Sequence, residues 1–455
     1  MSHRVVITGA GIISPIGIGL EDFWRSCLAA KSAVAPVPEL WTRYADLHSR
    51  IWAPLPELDA ESFGVSRAEQ LQLDPVTVLA LGATHEALTR AGFVLNPAGA
   101  GSRAYAVSGL DASQAGVYFG TGIGGAYSFL HNHTYHLLRP AREALDSYAK
   151  THGEPSDPEF DDMRALLQHG RRYHPFVVSM LMPNAPSAAV GIKFSLTGPN
   201  KTYCVACAAG TVAVGNGYEA VRDGRVAVAV AGGSEYLYDE HGHIFRGFDV
   251  AGTLARAYDD PATANRPFDQ KRSGFLFSQG GAAVLVLEEL EHARRRGATI
   301  VAEIVGYAET FDAYSIMSLA PAGVQIERMI RAALASAGVT PAQVDYINAH
   351  GTGTENNDKT EAEVIERVFG RRPFVNATKS LVGHAIGASG AIEALVTALT
   401  LREGTTHVCK NLESPIRDLN FVRDVVEADL AVGLSQSFAF GGHNAAIVLR
   451  RHGDA

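Results

Sequence analysis

The chain has 455 residues, 47% of them hydrophobic, 19% charged and 46 of them glycine, with a net charge of -9; this excludes a disordered or fibrous protein, fits a dense α/β enzyme, and argues against general nucleic-acid binding. Four cysteines, at 27, 204, 207 and 409, are too few and too scattered for a secreted disulfide framework. No run approaches the roughly 20 apolar residues of a membrane helix and the first residues lack a signal-peptide pattern, so a soluble, cytoplasmic enzyme is expected.

Taken in order, RVVIT (4–8) predicts a strand that runs into a glycine turn, Gly9-Ala-Gly11. Amphipathic helices follow over Leu20–Ala30 and Pro75–Ala91, then a strand over Ala115–Phe119 that ends in GTGIGG (120–125). Residues 127–174 are rich in His, Arg, Glu and Asp at helical spacing and read as a surface excursion. The stretch Tyr203–Tyr218 sets Cys207 among small apolar residues, at the turn from a strand into a buried helix. There the positive end of the helix dipole favours thiolate over thiol. Glycines 210, 215 and 217 lower helix propensity, so only tight packing would justify them. Strands at Val226–Ala231 and Ala282–Glu288 and a helix at 289–296 close the first half.

A second cycle has strands at Ile300–Tyr307, Val344–Ala349, Phe374–Ala377, Ala431–Ser437 and Ala445–Arg450, with helices at 324–337, 358–369 and Ala388–Arg402. The alternation predicts parallel strands with helical crossovers. It divides the chain into halves 1–298, which carries the excursion, and 299–455, related by element order alone.

Three further stretches join titratable residues to glycine turns at predicted strand ends: NAHGTGT (348–354), KSLVGHAIGASG (379–390) and SFAFGGHN (437–444). Open α/β sheets keep their sites at such ends. A cysteine with two histidines and a lysine supplies a nucleophile, hydrogen-bond donors and a charge partner. Other readings are weaker. Cys204–Cys207 lacks the polar or proline spacers of a redox pair. His131, His133 and His136 have no thiol or carboxylate cluster to complete a metal site. The opening ITGAGIISPIG has no acidic residue ending a second strand about 20 residues on, as a dinucleotide site needs.

Together these motifs resemble the elongating (type I/II) β-ketoacyl-acyl carrier protein synthases, from residue 4 to about 451. The resemblance implies a thiolase-like α/β fold: two similar βαβαβ-type halves in a layered α-β-α-β-α core. It implies decarboxylative Claisen condensation of a malonyl group with an acyl chain on Cys207, extending fatty-acyl or polyketide-like chains by two carbons. His350 and His384 become the decarboxylation histidines and Lys379 their charge partner. Phe440 becomes the gate, its N–H joining that of Cys207 in an oxyanion hole. Thr352 and Thr354 would bind the phosphopantetheine arm; Ile123, Asp312 and Phe248 would shape the substrate site; Arg171 and Arg172 would meet the acyl carrier protein. No metal or other cofactor is expected, since substrates arrive on the carrier's phosphopantetheine. A homodimer is implied, with two alternatives: the catalytic half of a ketosynthase/chain-length-factor heterodimer, and a non-catalytic partner subunit, which the intact Cys207 argues against.

Departures from the family pattern cluster around the site. Ala439 replaces a glycine of the usual GFGG loop, which predicts a stiffer gate. Ser273 and Gln279 stand where two acids are usual, and SIMSLAP (315–321) follows Asp312-Ala-Tyr314. Leu71-Gln72 occupies the place of a basic pair, and a further usual arginine falls near Gly252, leaving Arg67, Arg246 or Arg256 to compensate. A dedicated carrier is one consequence.

Overall fold

Ten strands carry the fold, five in each half of the chain. The first five are β1 (Val5–Ser14), β2 (Ala115–Gly120), β3 (Asn200–Tyr203), β4 (Val228–Tyr236) and β5 (Gly280–Glu289). The second five are β6 (Ala302–Phe311), β7 (Tyr346–Asn348), β8 (Phe374–Asn376), β9 (Val432–Phe438) and β10 (His443–Arg450). The computed structural model describes residues 2–99, 101–153, 157–167, 173–256 and 258–453; Arg171 and Arg172, expected at the carrier surface, lie outside them.

Both sets pair in the same spatial order, β3-β2-β4-β5-β1 and β8-β7-β9-β10-β6. The halves join where β1 meets β6 antiparallel, Val5 opposite Ile304. Only half of the pairings within each set are parallel, which corrects the sequence expectation. β2 lies parallel to β3 and β4, and β7 to β8 and β9. β5 runs antiparallel to β1 and β4, and β10 to β6 and β9. The turn between β9 and β10 is too short for a crossover, so β10 must return antiparallel.

Six helices build the layers: α1 (Pro75–Arg90), α2 (Ala126–His152), α3 (Ala209–Arg222), α4 (Val324–Ala337), α5 (Glu355–Phe369) and α6 (Ser389–Glu403). α1 starts where the Asp74 carboxylate accepts the Val76 N–H, a side-chain cap. It covers β1 and β5 as α4 covers β6 and β10. Each outer helix presses on a glycine in the first strand of its half. A Cβ on Gly9 would stand 2.3 Å from the Ala87 carbonyl oxygen, and one on Gly306 2.5 Å from that of Ala333. β1 and β6 also shift register at these glycines.

α3 and α6 form the central layer between the two sets of strands. Every side chain of α6 from Ser389 to Leu401 is buried, as a helix apolar on all sides must be. The two helices cross at glycines: a Cβ on Gly210 would lie 2.6 Å from Ala391 N, and one on Gly390 2.7 Å from Thr211 N. That reciprocal contact is the packing that a glycine at 210 required. The excursion is helical, α2 followed by Pro158–Leu167.

Candidate active site

All four motifs place their residues at the same ends of β3, β7, β8 and β9. After β3, Ala206 takes a left-handed φ of +47° and starts a short turn of 3-10 helix, Ala206–Ala208, that runs into α3 and carries Cys207. The second half repeats the device: Ile386, at φ +42°, opens the turn Ile386–Ala388 into α6, two residues beyond His384. Such strained backbone persists where surrounding structure fixes it, and it is frequent at functional sites.

The side chains meet in a cleft of roughly 380 Å³ lined by Cys207, His350, His384, Thr352, Thr354, Phe438, Ala439 and Phe440 among others. His384 Nε2 lies 3.1 Å from Cys207 Sγ, and the two imidazoles stand edge to face with ring centroids 5.5 Å apart. Lys379 Nζ is 2.7 Å from the His350 carbonyl oxygen and 3.1 Å from His350 Nδ1, and its third hydrogen goes to the Glu393 carboxylate. An ammonium only donates, so His350 Nδ1 accepts and its ring hydrogen sits on Nε2. His384 is less fixed. Its Nδ1 lies 3.0 Å from Ser389 Oγ, which also accepts the Ala385 N–H at 3.0 Å. A hydroxyl can give to Nδ1 or take from it, so His384 Nε2 can present either a lone pair or a hydrogen.

Burial, the Lys379 charge and, for His350, the neighbouring His384 hold both imidazoles well below the usual histidine range, and so neutral. Cys207 departs from the sequence expectation. Burial pushes its thiol up to about 12, against Lys379 and the backbone N–H groups of Phe440 and Cys207, which favour thiolate. The helix end does not outweigh desolvation, so the resting group is a thiol. The two N–H groups that reach its sulfur are the pair expected to form an oxyanion hole.

The remaining expected residues fall into two groups. Thr352 and Thr354 line the cleft, their hydroxyls 2.9 Å apart. Phe248, Asp312 and Ile123 are not among the residues that line it. Phe248 meets Phe275 edge to face, at 5.6 Å between centroids, and Phe275 in turn meets His384 edge to face. Asp312 ties two loops together, accepting the Asn444 side-chain N–H at 2.7 Å and the Ala320 N–H at 3.0 Å. Ile123 is 38% exposed on the surface. In the gate loop the left-handed positions are Gly441 and Gly442, both at φ +88°, and Ala439 is not among them; its methyl group is accommodated in this conformation. Ser273 lines the cleft, whereas Gln279 is turned away, bonding the Leu55 N–H and the Tyr236 hydroxyl.

Sequence reasoning missed three buried carboxylates that hold the loops. Glu361, on α5, accepts the N–H groups of His350 and Gly351 at 2.6 and 2.8 Å. Asp358, one turn earlier, accepts that of Gly353 at 3.1 Å. Glu235 at the end of β4 accepts the N–H groups of Gly122, Ile123 and Gly387, clamping GTGIGG to the His384 turn. Burial pushes Glu235 up to about 7 despite those bonds. The available clue was an acid at a strand end, or on the helix after a glycine motif.

Two groups among the described residues have metal-ligand spacing. The ligand atoms of Cys207, His350 and His384 lie within 4.8 Å of one another, as do those of Asp239, His241 and His243. In the second group the Asp239 carboxylate is taken up by the N–H groups of His241, His243 and Ile244. His131 instead pairs with Glu240 at 2.9 Å. No helix among the described residues is long and apolar enough to cross a membrane.

Comparison with known proteins gives a consistent picture. Residues 2–293 match the family described as beta-ketoacyl synthase, N-terminal domain, and residues 301–413 its C-terminal domain. The chain is 35% identical to the 3-oxoacyl-[acyl-carrier-protein] synthase 2 of Synechocystis sp., over 99% of this chain and 98% of that protein. It is similar in structure to the ishigamide ketosynthase/chain length factor, with a TM-score of 0.80, 29% identity and full coverage of both chains. A type II polyketide ketosynthase, solved with its acyl-carrier protein and bound to the hexaketide, superposes with a TM-score of 0.79 and 27% identity, covering 99% of this chain and all of that one.

Proposed function

The chain belongs to the β-ketoacyl synthase family of acyltransferases, and from that premise we propose that it condenses a malonyl group with an acyl chain held on Cys207, both delivered on the phosphopantetheine of an acyl carrier protein. The observation that carries this reading is the buried thiol 3.1 Å from a neutral imidazole, with a second neutral imidazole beside it.

Acyl transfer comes first. His384 Nε2 takes the Cys207 proton as sulfur attacks the thioester carbon, and the N–H groups of Cys207 and Phe440 stabilise the oxyanion. The intermediate collapses, the carrier thiolate leaves, and it recovers the proton. Malonyl-carrier then enters. Its carboxyl carbon departs as carbon dioxide, leaving the bonding electrons in an enolate whose oxygen accepts hydrogen bonds from Nε2–H of His350 and of His384. Neutral donors suit a charge that exists only at that moment. The enolate carbon attacks the acyl-Cys207 thioester, a carbon–carbon bond forms, and Cys207 leaves as a thiolate, which takes up one proton from solvent to return to the resting thiol. The product is a β-ketoacyl-carrier two carbons longer. Lys379 acts through His350 and is a positioning residue. Thr352 and Thr354, whose hydroxyls line the cleft, are assigned to the arm.

The working form in this reading is a cytoplasmic homodimer. A second reading, the catalytic half of a ketosynthase/chain-length-factor heterodimer, is favoured by the likeness to the ishigamide ketosynthase/chain length factor. Co-purification with a homologue lacking the cysteine separates the two.

Cys207→Ala is expected to abolish condensation, and His350→Ala or His384→Ala to abolish release of carbon dioxide from malonyl-carrier. Normal carbon dioxide release by both histidine variants would refute these roles. Mass spectrometry of the acyl chain trapped on Cys207 identifies the substrate.

A further inference from the structure

The cleft that ends at Cys207 is lined by polar backbone, three threonines, apolar side chains and, besides the two neutral histidines, a single basic side chain among the described residues that line it, Arg256. Cys207 and Thr352 are buried while Arg256 is exposed, so the cleft runs from a dry floor to a mouth where this arginine stands. The guanidinium lies over Gly252, where a Cβ would be 3.5 Å from Nη1. It therefore supplies positive charge beside position 252, where the family pattern led one to expect an arginine. Arg272, its neighbour, is spent on the carbonyl oxygens of Asp269, Thr354 and Glu355. Glu355 also lines the cleft, yet no ion pair joins it to Arg256 among the described residues. Met317, Leu319 and Phe275 line the same space.

A carrier-bound substrate brings one anion that must stop at this depth. The pantetheine portion is neutral along its length and ends in a phosphate at the protein side. We propose that Arg256 binds that phosphate, making it the residue that sets how far the arm enters and so where the thioester stops relative to Cys207. This rests on the condensing activity proposed above. A planar guanidinium can offer two parallel N–H bonds to phosphate oxygens, which an ammonium cannot.

The test uses the full-length enzyme and two small probes, malonyl-pantetheine and malonyl-4′-phosphopantetheine, with carbon dioxide release measured for each. The readout is the ratio of kcat/KM for the phosphorylated over the unphosphorylated probe, in which any general loss of folded enzyme cancels. Wild type is expected to favour the phosphorylated probe about tenfold or more. Arg256→Gln should bring the ratio close to one, Arg256→Lys should leave an intermediate value, and Arg103→Gln, an exposed charge outside the cleft lining, should leave the wild-type ratio. Equal use of both probes by wild type, or an unchanged ratio in Arg256→Gln, would overturn the assignment while the condensing activity stands. Release of carbon dioxide from neither probe would remove the activity and the assignment with it.

Discussion

Cys207 is held as a thiol by burial, and in the proposed reaction the same burial would shield its acyl thioester. With its thiol pushed up to about 12 by burial, Cys207 is protonated at neutral pH. In the proposed reaction the acyl-transfer step therefore depends on His384 receiving the proton during attack, because the resting group is the thiol. Because the folded group has a raised pKa, its anion becomes more populated only as pH rises. Alkylation of Cys207 by iodoacetamide should accelerate continuously from pH 7 to 10 without a plateau; a plateau with a midpoint near neutrality would show a preformed thiolate and overturn the argument. Cys207, the proposed nucleophile, was legible as a residue type in its motif, as were His350, His384 and Lys379, and the structure brings the four together. The state of the thiol was not. Helix-end electrostatics can be read from a strand-helix turn, whereas the opposing desolvation depends on what α6 and the gate loop place over the sulfur, and those residues lie about 180 and 230 positions away in the chain.

At the level of elements, the site is carried by two helices that mirror one another. α3 and α6 each begin with a left-handed residue and a 3-10 turn, and each gives up a glycine where they cross. The sequence showed glycines in both helices; what they touch is a matter of pairing across the molecule. A methyl group on Gly390 would meet Thr211 N at 2.7 Å and Ser437 Oγ at 3.0 Å, and the backbone cannot retreat without moving His384 or Cys207. Gly390→Ala should therefore cost about 2–4 kcal/mol of stability, read as a lowered melting temperature, and lower condensation in the fraction that stays folded. An unchanged melting temperature would mean that the crossing yields easily. The antiparallel half of each sheet escaped sequence reasoning for a related reason. Alternating strands and helices indicate parallel pairs only where the connection crosses over: β10 returns from β9 through a short turn with no room to do so, whereas β5 returns antiparallel to β4 after the long connection 237–279, which element order alone does not reveal.

The whole molecule repeats itself, with identical strand order in the two halves, but its two sheet edges are treated differently. The outer edge of β8 is covered: Val375 gives its N–H to the Asn420 carbonyl and accepts that of Val422. β3, at the other end, is the last strand on its side, and exposed Ile123, Val178, Met182 and Ile192 come from segments near it in the fold. An open edge beside apolar side chains invites a second strand. Residue direction in β3 is set by its parallel partner. The carbonyls of Pro199 and Tyr203 face β2, accepting from Val117 and Thr121, so the alternate residues, Asn200 and Thr202, turn their backbone groups outward. A dimer joined through this edge uses the Thr202 N–H, which the monomer does not need. Thr202→Pro removes that donor and leaves the bonds to β2 in place, at the loss of the hydroxyl contact with Ser187. The variant is expected to keep its secondary structure and to elute in light-scattering chromatography near the 48.4 kDa of a single chain, while the wild type elutes at twice that mass. If the variant stays dimeric at micromolar concentration, β3 is not the strand that joins the subunits.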